Sequence, residues 1–311
     1  MTRVVAGTIL VLLASVPLYA AVFDAPYYVT LFSRILILAL AALSLAPILS
    51  YGGMVSFGHA LYLGIGAYSV GMLAHHGVTN GWIHVGMAVG VSALIAAGTG
   101  AICLRTTGLG FIMITLAFAQ MFYFLFVSLK YYGGDDGLSI QQRSDFRPLL
   151  NLDSNVVLYY VAFVLLAAVL YMLYRLVNSH FGMVLRGCKS NERRVKALGI
   201  PTFRYKLTAY VLSAVICGLA GVLLANLTRF ASPEYMSWIR SGDLILMIVV
   251  GGVNSLMGGV VGAIALLLLE EVLSSWTQHW MVVLGPLVIL LVLLFRQGLY
   301  GALRAREKAA F

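Results

Sequence analysis

Apolar residues run along this chain in long blocks separated by short polar intervals. The blocks fall at about 4–23, 29–49, 51–73, 82–104, 108–129, 155–177, 207–226, 244–257, 258–274 and 281–295, and the polar intervals at 24–28, 74–81, 130–154, 178–206, 227–243 and 296–311. Each long block suits a helix crossing a hydrocarbon core of about 30 Å. The pattern predicts one all-α polytopic membrane domain over residues 1–311 with ten crossings. The eighth and ninth blocks are short and interrupted by Gly251-Gly252 and Gly258-Gly259, so they form either two crossings or one broken, re-entrant element. The first block follows Arg3 and ends near Tyr19-Ala20-Ala21; it reads as an uncleaved first span, with a cleaved secretory signal as the alternative.

Composition narrows the class. Of 311 residues 61% are hydrophobic and only 10% are charged, where a soluble domain carries about 25% charged residues. That leaves too little polar surface to cover a water-soluble core, and the same proportions exclude intrinsic disorder. Cys103, Cys188 and Cys217 form no CxxC pair and the six histidines no HExxH, which argues against a disulfide framework or a metal site. Neither a GxxxxGK[ST] phosphate loop nor a GxSxG elbow occurs. If ATP is used, another chain binds it.

The net charge of +9 invites a nucleic-acid reading, but its distribution argues for membrane orientation. Interval 178–206 with Arg175 holds eight basic residues and one acid, Glu192, which assigns it to the cytoplasm. Alternating from there, the cytoplasmic side carries fourteen basic and two acidic residues (+12) and the outside five and seven (−2); Arg34, Glu270 and Glu271 add −1 and restore +9. Both chain ends fall in the cytoplasm, intervals 130–154 and 227–243 fall outside, and no nucleic-acid partner is implied.

Two local patterns stand out. Gly52-Gly53-Met54-Val55-Ser56 is echoed by Gly251-Gly252-Val253-Asn254-Ser255, a GGxxS in each half. Paired Gly-interrupted segments in two halves mark broken helices along a transport pathway, as pseudo-repeats do, although chance in a Gly-rich chain gives the same match. Within 178–206, Ser190 through Pro201 reads as a two-turn helix. Ser190 caps it, Glu192 suits the positive end of its dipole, and Gly199 supplies a left-handed stop with Pro201 just beyond. Such a helix makes a rigid docking knob; a solvated basic loop meeting anionic lipid headgroups is the other reading.

Four blocks resemble a known family in order and spacing. They are Tyr51-Gly52-Gly53-Met54-Val55-Ser56-Phe57-Gly58-His59-Ala60 with Gly64-Ile65-Gly66-Ala67-Tyr68, and Phe111 through Gln120. Ala197-Leu198-Gly199-Ile200-Pro201 with Tyr205-Lys206-Leu207 and Gly218-Leu219-Ala220-Gly221 forms the third, and Val250-Gly251-Gly252 with Gly258-Gly259 and Gly262-Ala263 the fourth. Together they resemble LivM-type permeases, membrane subunits of ABC importers for branched-chain amino acids. The resemblance implies a multi-pass protein of the bacterial inner membrane, in a heterodimer with a LivH-type permease. Two cytoplasmic ATPase subunits would use the ATP, and a periplasmic substrate-binding protein would deliver the substrate, with no cofactor bound by this chain. Loop 178–206 would then contain the coupling helix, with Ser190, Glu192, Arg193, Arg194, Leu198, Gly199 and Ile200 meeting the ATPase. Similar permeases carry urea, small amides or organic acids.

Polar residues within the spans are candidates for the substrate path, because polar groups at membrane depth must face protein or water. They are Ser56, His59 and Tyr62, three apart on one helix face, Thr115 and Gln120 in the fifth span, and Asn254 and Ser255 at the second broken segment. Hydrogen bonding between packed helices explains any one of them equally well. Arg34 either snorkels or pairs inside the bundle, and Glu270-Glu271 sit near the interface. Loop 130–154 faces either the binding protein or solvent, and His75-His76 reads as solvated. A stand-alone secondary transporter would need coupling carboxylates at membrane depth, and an intramembrane enzyme a nucleophile–base pair or metal cluster; neither pattern is evident.

Overall fold

The computed structural model describes residues 2–22, 25–147, 152–295 and 298–301, and the side chains of all of these except 2–6 and 21–22. Eleven α-helices account for nearly all of its regular structure: α1 (Thr2–Val22), α2 (Pro26–Ala46), α3 (Ala60–His75), α4 (Gly81–Cys103), α5 (Leu109–Ser128), α6 (Asn155–Val177), α7 (His180–Ala197), α8 (Thr202–Thr228), α9 (Trp238–Gly251), α10 (Leu256–Trp276) and α11 (Trp280–Leu294). Two short strands, β1 (Leu138–Ser139) and β2 (Phe230–Ala231), pair antiparallel with Leu138 opposite Ala231. Among the described residues, seven stretches are long and apolar enough to cross a membrane: Pro26–Tyr51, Gly81–Cys103, Leu109–Ser128, Asn155–Val177, Thr202–Thr228, Leu256–Trp276 and Trp280–Gly301. The chain is a multi-pass, all-α membrane protein.

α2 and α8 form the buried centre, while α5 and α11 turn most of their length outward. Glycines set how closely the inner helices approach. A Cβ at Gly66 of α3 would lie 2.0 Å from the Gly218 carbonyl oxygen of α8, and one at Gly221 would lie 2.0 Å from that of Leu63. This is the small-residue packing that membrane helices use where lipid supplies no hydrophobic drive.

Three predicted spans are redrawn. Block 51–73 is not one helix: α2 continues into a wide turn at Pro47–Tyr51, closed by the Gly52 N–H on the Pro47 carbonyl at 3.0 Å, and 52–59 are irregular before α3. Pro47 has no N–H for the carbonyl one turn earlier, which loosens the helix there. Gly53, at φ +67°, completes the break. Blocks 244–257 and 258–274 are α9 and α10, an antiparallel pair joined by 252–255 and packed so closely that a Cβ at Gly262 would fall 1.7 Å from the Met247 carbonyl oxygen. α9 starts well before residue 244, and at fourteen residues it measures about 21 Å, shorter than a crossing.

α9 also begins inside the bundle. The Ala60 N–H at the start of α3 bonds Ser241 Oγ at 3.1 Å, and Met236 packs on Gly64. Interval 227–243 is therefore not simply a surface loop: β2 and the turn Pro233–Met236 descend along α3. At the same end as β1, the Asp145 N–H and carbonyl bond Thr79 and Gly81, both at 2.7 Å, tying interval 130–154 to the start of α4. At the opposite end lie α7, the wide turn of α2 and the α9–α10 turn. Residues 148–151, the Arg3 side chain and the basic tail of Arg296, Arg304, Arg306 and Lys308 lie outside the described residues.

Candidate functional site: a braced polar helix and a buried imidazole core

α7 is the polar exception among the helices. It buries Gly182, Leu185, Cys188 and Val195 and leaves Arg193, Arg194 and Lys196 exposed. Its path breaks at Asn191, whose φ of −159° and ψ of 98° are extended. Asn191 Oδ1 accepts the Arg194 N–H at 3.1 Å and so caps the second, shorter piece. The expected two-turn helix from Ser190 is thus corrected: α7 starts ten residues earlier, at His180, and the cap is Asn191, because its amide oxygen reaches the orphan N–H three residues on. Ser190 is exposed and caps nothing. Gly199, at φ +79°, ends the helix as expected.

Glu192 points inward. Its carboxylate takes a salt bridge from Lys206 of α8, accepts from Thr202 Oγ1 at 3.1 Å and meets Lys196 Nζ at 3.1 Å. Burial disfavours the carboxylate, but the hydrogen bonds from Lys206 and Lys196 outweigh it and hold its pKa below the usual range. Glu192 therefore braces α7 to α8 and is not a free docking contact. Arg193 and Arg194 are exposed, Ile200 is half-buried, and Leu198, 77% exposed, is the outermost apolar group of the knob.

Toward the bundle, Lys189 Nζ donates to the Ser50 carbonyl at 2.8 Å, within the wide turn of α2, and the Lys189 stem packs over Gly53. A cavity of about 200 Å³ beside this joint is lined by Gly53, Thr106, Phe111, Cys188, Lys189 and Lys206. Burial pushes the Cys188 thiol pKa up, which makes it an inert lining group. α7 thus grips both the long helix α8 and the broken segment 52–59.

That segment leads to a buried polar core. His59 is fully buried; its Nε2 lies 2.9 Å from Ser44 Oγ and 3.3 Å from Ser213 Oγ. The hydroxyls of Ser44 and Ser213 point at the Ala41 and Ser44 carbonyls, so the proton belongs on His59 Nε2 and Nδ1 is left as an acceptor with no partner among the described residues. Cys217 Sγ reaches the His59 carbonyl at 3.6 Å. Tyr62 bonds Thr99 Oγ1 at 3.0 Å and Tyr210 at 3.1 Å. Ser56, fully buried, accepts the Gly58 N–H at 3.3 Å, and Gly58 packs on the Thr115 carbonyl.

Ser56, His59, Tyr62 and Thr115 therefore come together, but not on one helix face: Ser56 precedes α3, and His59 is its N-terminal flanking residue. The other candidates lie elsewhere. Gln120 is half-buried on α5, Asn254 is exposed in the α9–α10 turn, and Ser255 caps α10 through the Gly258 N–H at 3.0 Å. The two GGxxS segments differ in detail: Ser56 accepts from Gly58 two residues on, within the irregular stretch before α3, whereas Ser255 accepts from Gly258 three residues on as the N-cap of α10. Sequence reasoning missed Ser44, Ser213 and Ser241, single polar residues in apolar runs. It read Lys189 only as an orientation charge, and Lys206 only as that and as part of the third family block, so it missed their contacts. Buried His84, between Ser144 Oγ at 2.7 Å and the Val78 carbonyl at 2.8 Å, was also passed over.

A bundle of apolar helices built on glycine seams, broken at two glycine pairs and gripped by one polar helix, has the build of a membrane permease. Residues 27–295 match the model of the branched-chain amino acid transport system / permease component family, and the chain belongs to that family. It is 26% identical over 296 residues to the high-affinity branched-chain amino acid transport system permease protein LivM of Salmonella typhimurium, covering 88% of this chain and 70% of that one. The LivM protein of Escherichia coli K12 is likewise 26% identical over 300 residues, at 88% and 70% coverage. The LivH permease protein of the same strain is 24% identical over 284 residues, covering 85% and 91%. No solved structure matches. The chain is a membrane-spanning permease subunit of an ABC importer.

Proposed function

We propose that this subunit carries branched-chain or related amino acids across the bacterial inner membrane, with both chain ends cytoplasmic and ten passes in all, α9 completing its pass together with the descending segment 227–237 before it. It pairs with a LivH-type permease, receives its substrate from a periplasmic binding protein, and is driven by two cytoplasmic ATPase subunits that use the ATP; the chain itself binds no cofactor. Support comes from the relatives' printed function and from α7, which lies outside the apolar spans, exposes Leu198 and grips both α8 and the broken segment. A push on Leu198-Gly199-Ile200 would reach α8 through Glu192–Lys206 and the His59 core through Lys189–Ser50. The acceptor on His59 and the Tyr62–Tyr210 pair would rearrange as the passage opens.

Reconstitution of the chain with its partners in liposomes tests this reading. ATP-dependent leucine uptake is the expected result, and Leu198→Asp is expected to abolish ATPase attachment without affecting pairing of the two permeases. Uptake of urea or an organic acid in place of leucine would overturn the substrate class. Unaltered ATPase attachment in Leu198→Asp would overturn the docking role of α7.

A further inference from the structure

One face of the bundle carries a line of charges. Arg240 of α9 bonds Glu234 at 3.0 Å and faces Asp243 at 3.6 Å. Asp243 lies close enough to Glu270 of α10 for the two carboxylates to repel. Glu270 in turn meets Arg34 of α2 at 3.6 Å, and the neighbouring Glu271 accepts from Tyr27. With four acids against two guanidiniums, this face carries a local charge of −2.

Arg240, Asp243 and Arg34 lie at membrane depth. Ser241, next to Arg240, holds the first turn of α3, fifteen residues short of His75, or about 22 Å below that helix end. Arg34 is eight residues into α2, about 12 Å from its start. The side chains of Arg240, Asp243, Glu270 and Arg34 are nevertheless between 32% and 43% exposed, and no atom lies within 4 Å of where a Cβ on Gly242 would sit. Charges at this depth do not face lipid; they face water or another polar surface.

Apart from the Arg240–Glu234 bond, the ion pairs are loose at 3.6 Å, so most guanidinium N–H donors stay free. Ile239, Asp243 and Leu246 share one side of α9 by their spacing, and Ile239 and Leu246 are exposed. The strip thus offers a carboxylate pair, guanidinium donors and aliphatic surface side by side.

From this arrangement we infer that the α2–α9–α10 face lines the water-filled substrate passage and is a transient binding site for a zwitterion with an aliphatic side chain. Asp243 and Glu270 receive the ammonium, Arg240 and Arg34 the carboxylate, and Ile239 and Leu246 the side chain. The inference rests on the amino-acid permease reading above and deepens it.

The test uses the complete complex in liposomes, with radiolabelled leucine as probe. Arg240→Gln and Asp243→Asn are expected to lower leucine uptake at least tenfold, while complex composition and ATP hydrolysis stimulated by the loaded binding protein stay as in the wild type. Asp243→Cys is expected to react with a membrane-impermeant cationic thiol reagent, with leucine slowing the reaction; Cys103, Cys188 and Cys217 are buried and contribute little background. Unchanged uptake in both neutral variants would overturn the inference. So would an unreactive Cys at 243 in an intact complex, or separation of the two permeases, which would make this face a subunit contact. If neither neutral variant assembles, Arg240→Lys decides: it keeps the charge and loses the fork, so it should assemble and raise the leucine concentration for half-maximal uptake, and wild-type uptake would count against the site. Failure of the wild-type complex to move any amino acid would instead overturn the proposed function.

Discussion

Replacing Glu192 by Gln keeps the shape of the α7–α8 joint and removes its charge. The Lys206 side chain is only 9% exposed, so the substitution strands an ammonium that has lost its carboxylate. Breaking a buried pair from one side costs about 3–5 kcal/mol; Glu192 is itself 25% exposed, so about 3 kcal/mol, at the low end, applies. The cost falls on the attachment of α7 to α8 and not on the whole bundle. It corresponds to a roughly 100-fold rise in the open population of that joint. Amide hydrogen exchange of residues 186–200 in the assembled complex reads this directly, because local opening sets the exchange rate. Glu192→Gln paired with Lys206→Met removes both charges, so the double variant should recover most of the protection. Exchange within threefold of wild type in Glu192→Gln, or a double variant worse than either single one, would refute the reasoning. The same pair sets a pH dependence. The folded carboxyl has a depressed pKa, so its contribution is full above the ordinary value of 4.5 and is lost as pH falls through the folded value.

Three further outcomes follow from the geometry. Asn191→Ala removes the cap of the second piece of α7 and costs about 1 kcal/mol, which trypsin should register as faster cleavage at Arg193 and Arg194. Gly221→Val places carbon 2.0 Å from a backbone oxygen of α3, and is expected to abolish recovery of monodisperse protein in detergent, whereas Gly86→Ala, in open space on α4, should not. Lys189→Met cuts the grip on the Ser50 carbonyl; ATP hydrolysis should persist while leucine uptake per ATP falls severalfold, and an unchanged ratio would exclude this linkage.

The long apolar blocks were legible because a membrane span is set by length and hydrophobicity alone. The breaks were less so. Pro47 and Gly53 mark the end of α2, but the block at 51–73 stays apolar through the irregular part, so hydropathy reads it as continuous. α9 was cut short for the opposite reason: Arg240 and Asp243 make its first turns look like a loop, whereas Ser241 seats them on the start of α3 by accepting the Ala60 N–H. Asn191 and Ser190 are equally good caps by type; which one serves depends on where the kink falls, and that is set by Cys188 and Val195 packing inward. Arg34 and Glu270 were each noticed, but their pairing joins residues more than two hundred positions apart.

The short helix α9 also bears on how the chain is made. Fourteen residues that include Arg240 and Asp243 cannot leave the translocon for lipid unaided. Their entry has to wait for α10, whose glycines at 258 and 262 receive α9 backbone to backbone, so the two insert as a hairpin. The hairpin then needs α3 in place to accept Ser241. Synthesis order already provides this, since α3 emerges long before α9. A nascent chain stalled before Leu256 would hold α9 at the aqueous boundary, and a chain lacking α10 would be recognised by quality control as a protein with an uninserted segment.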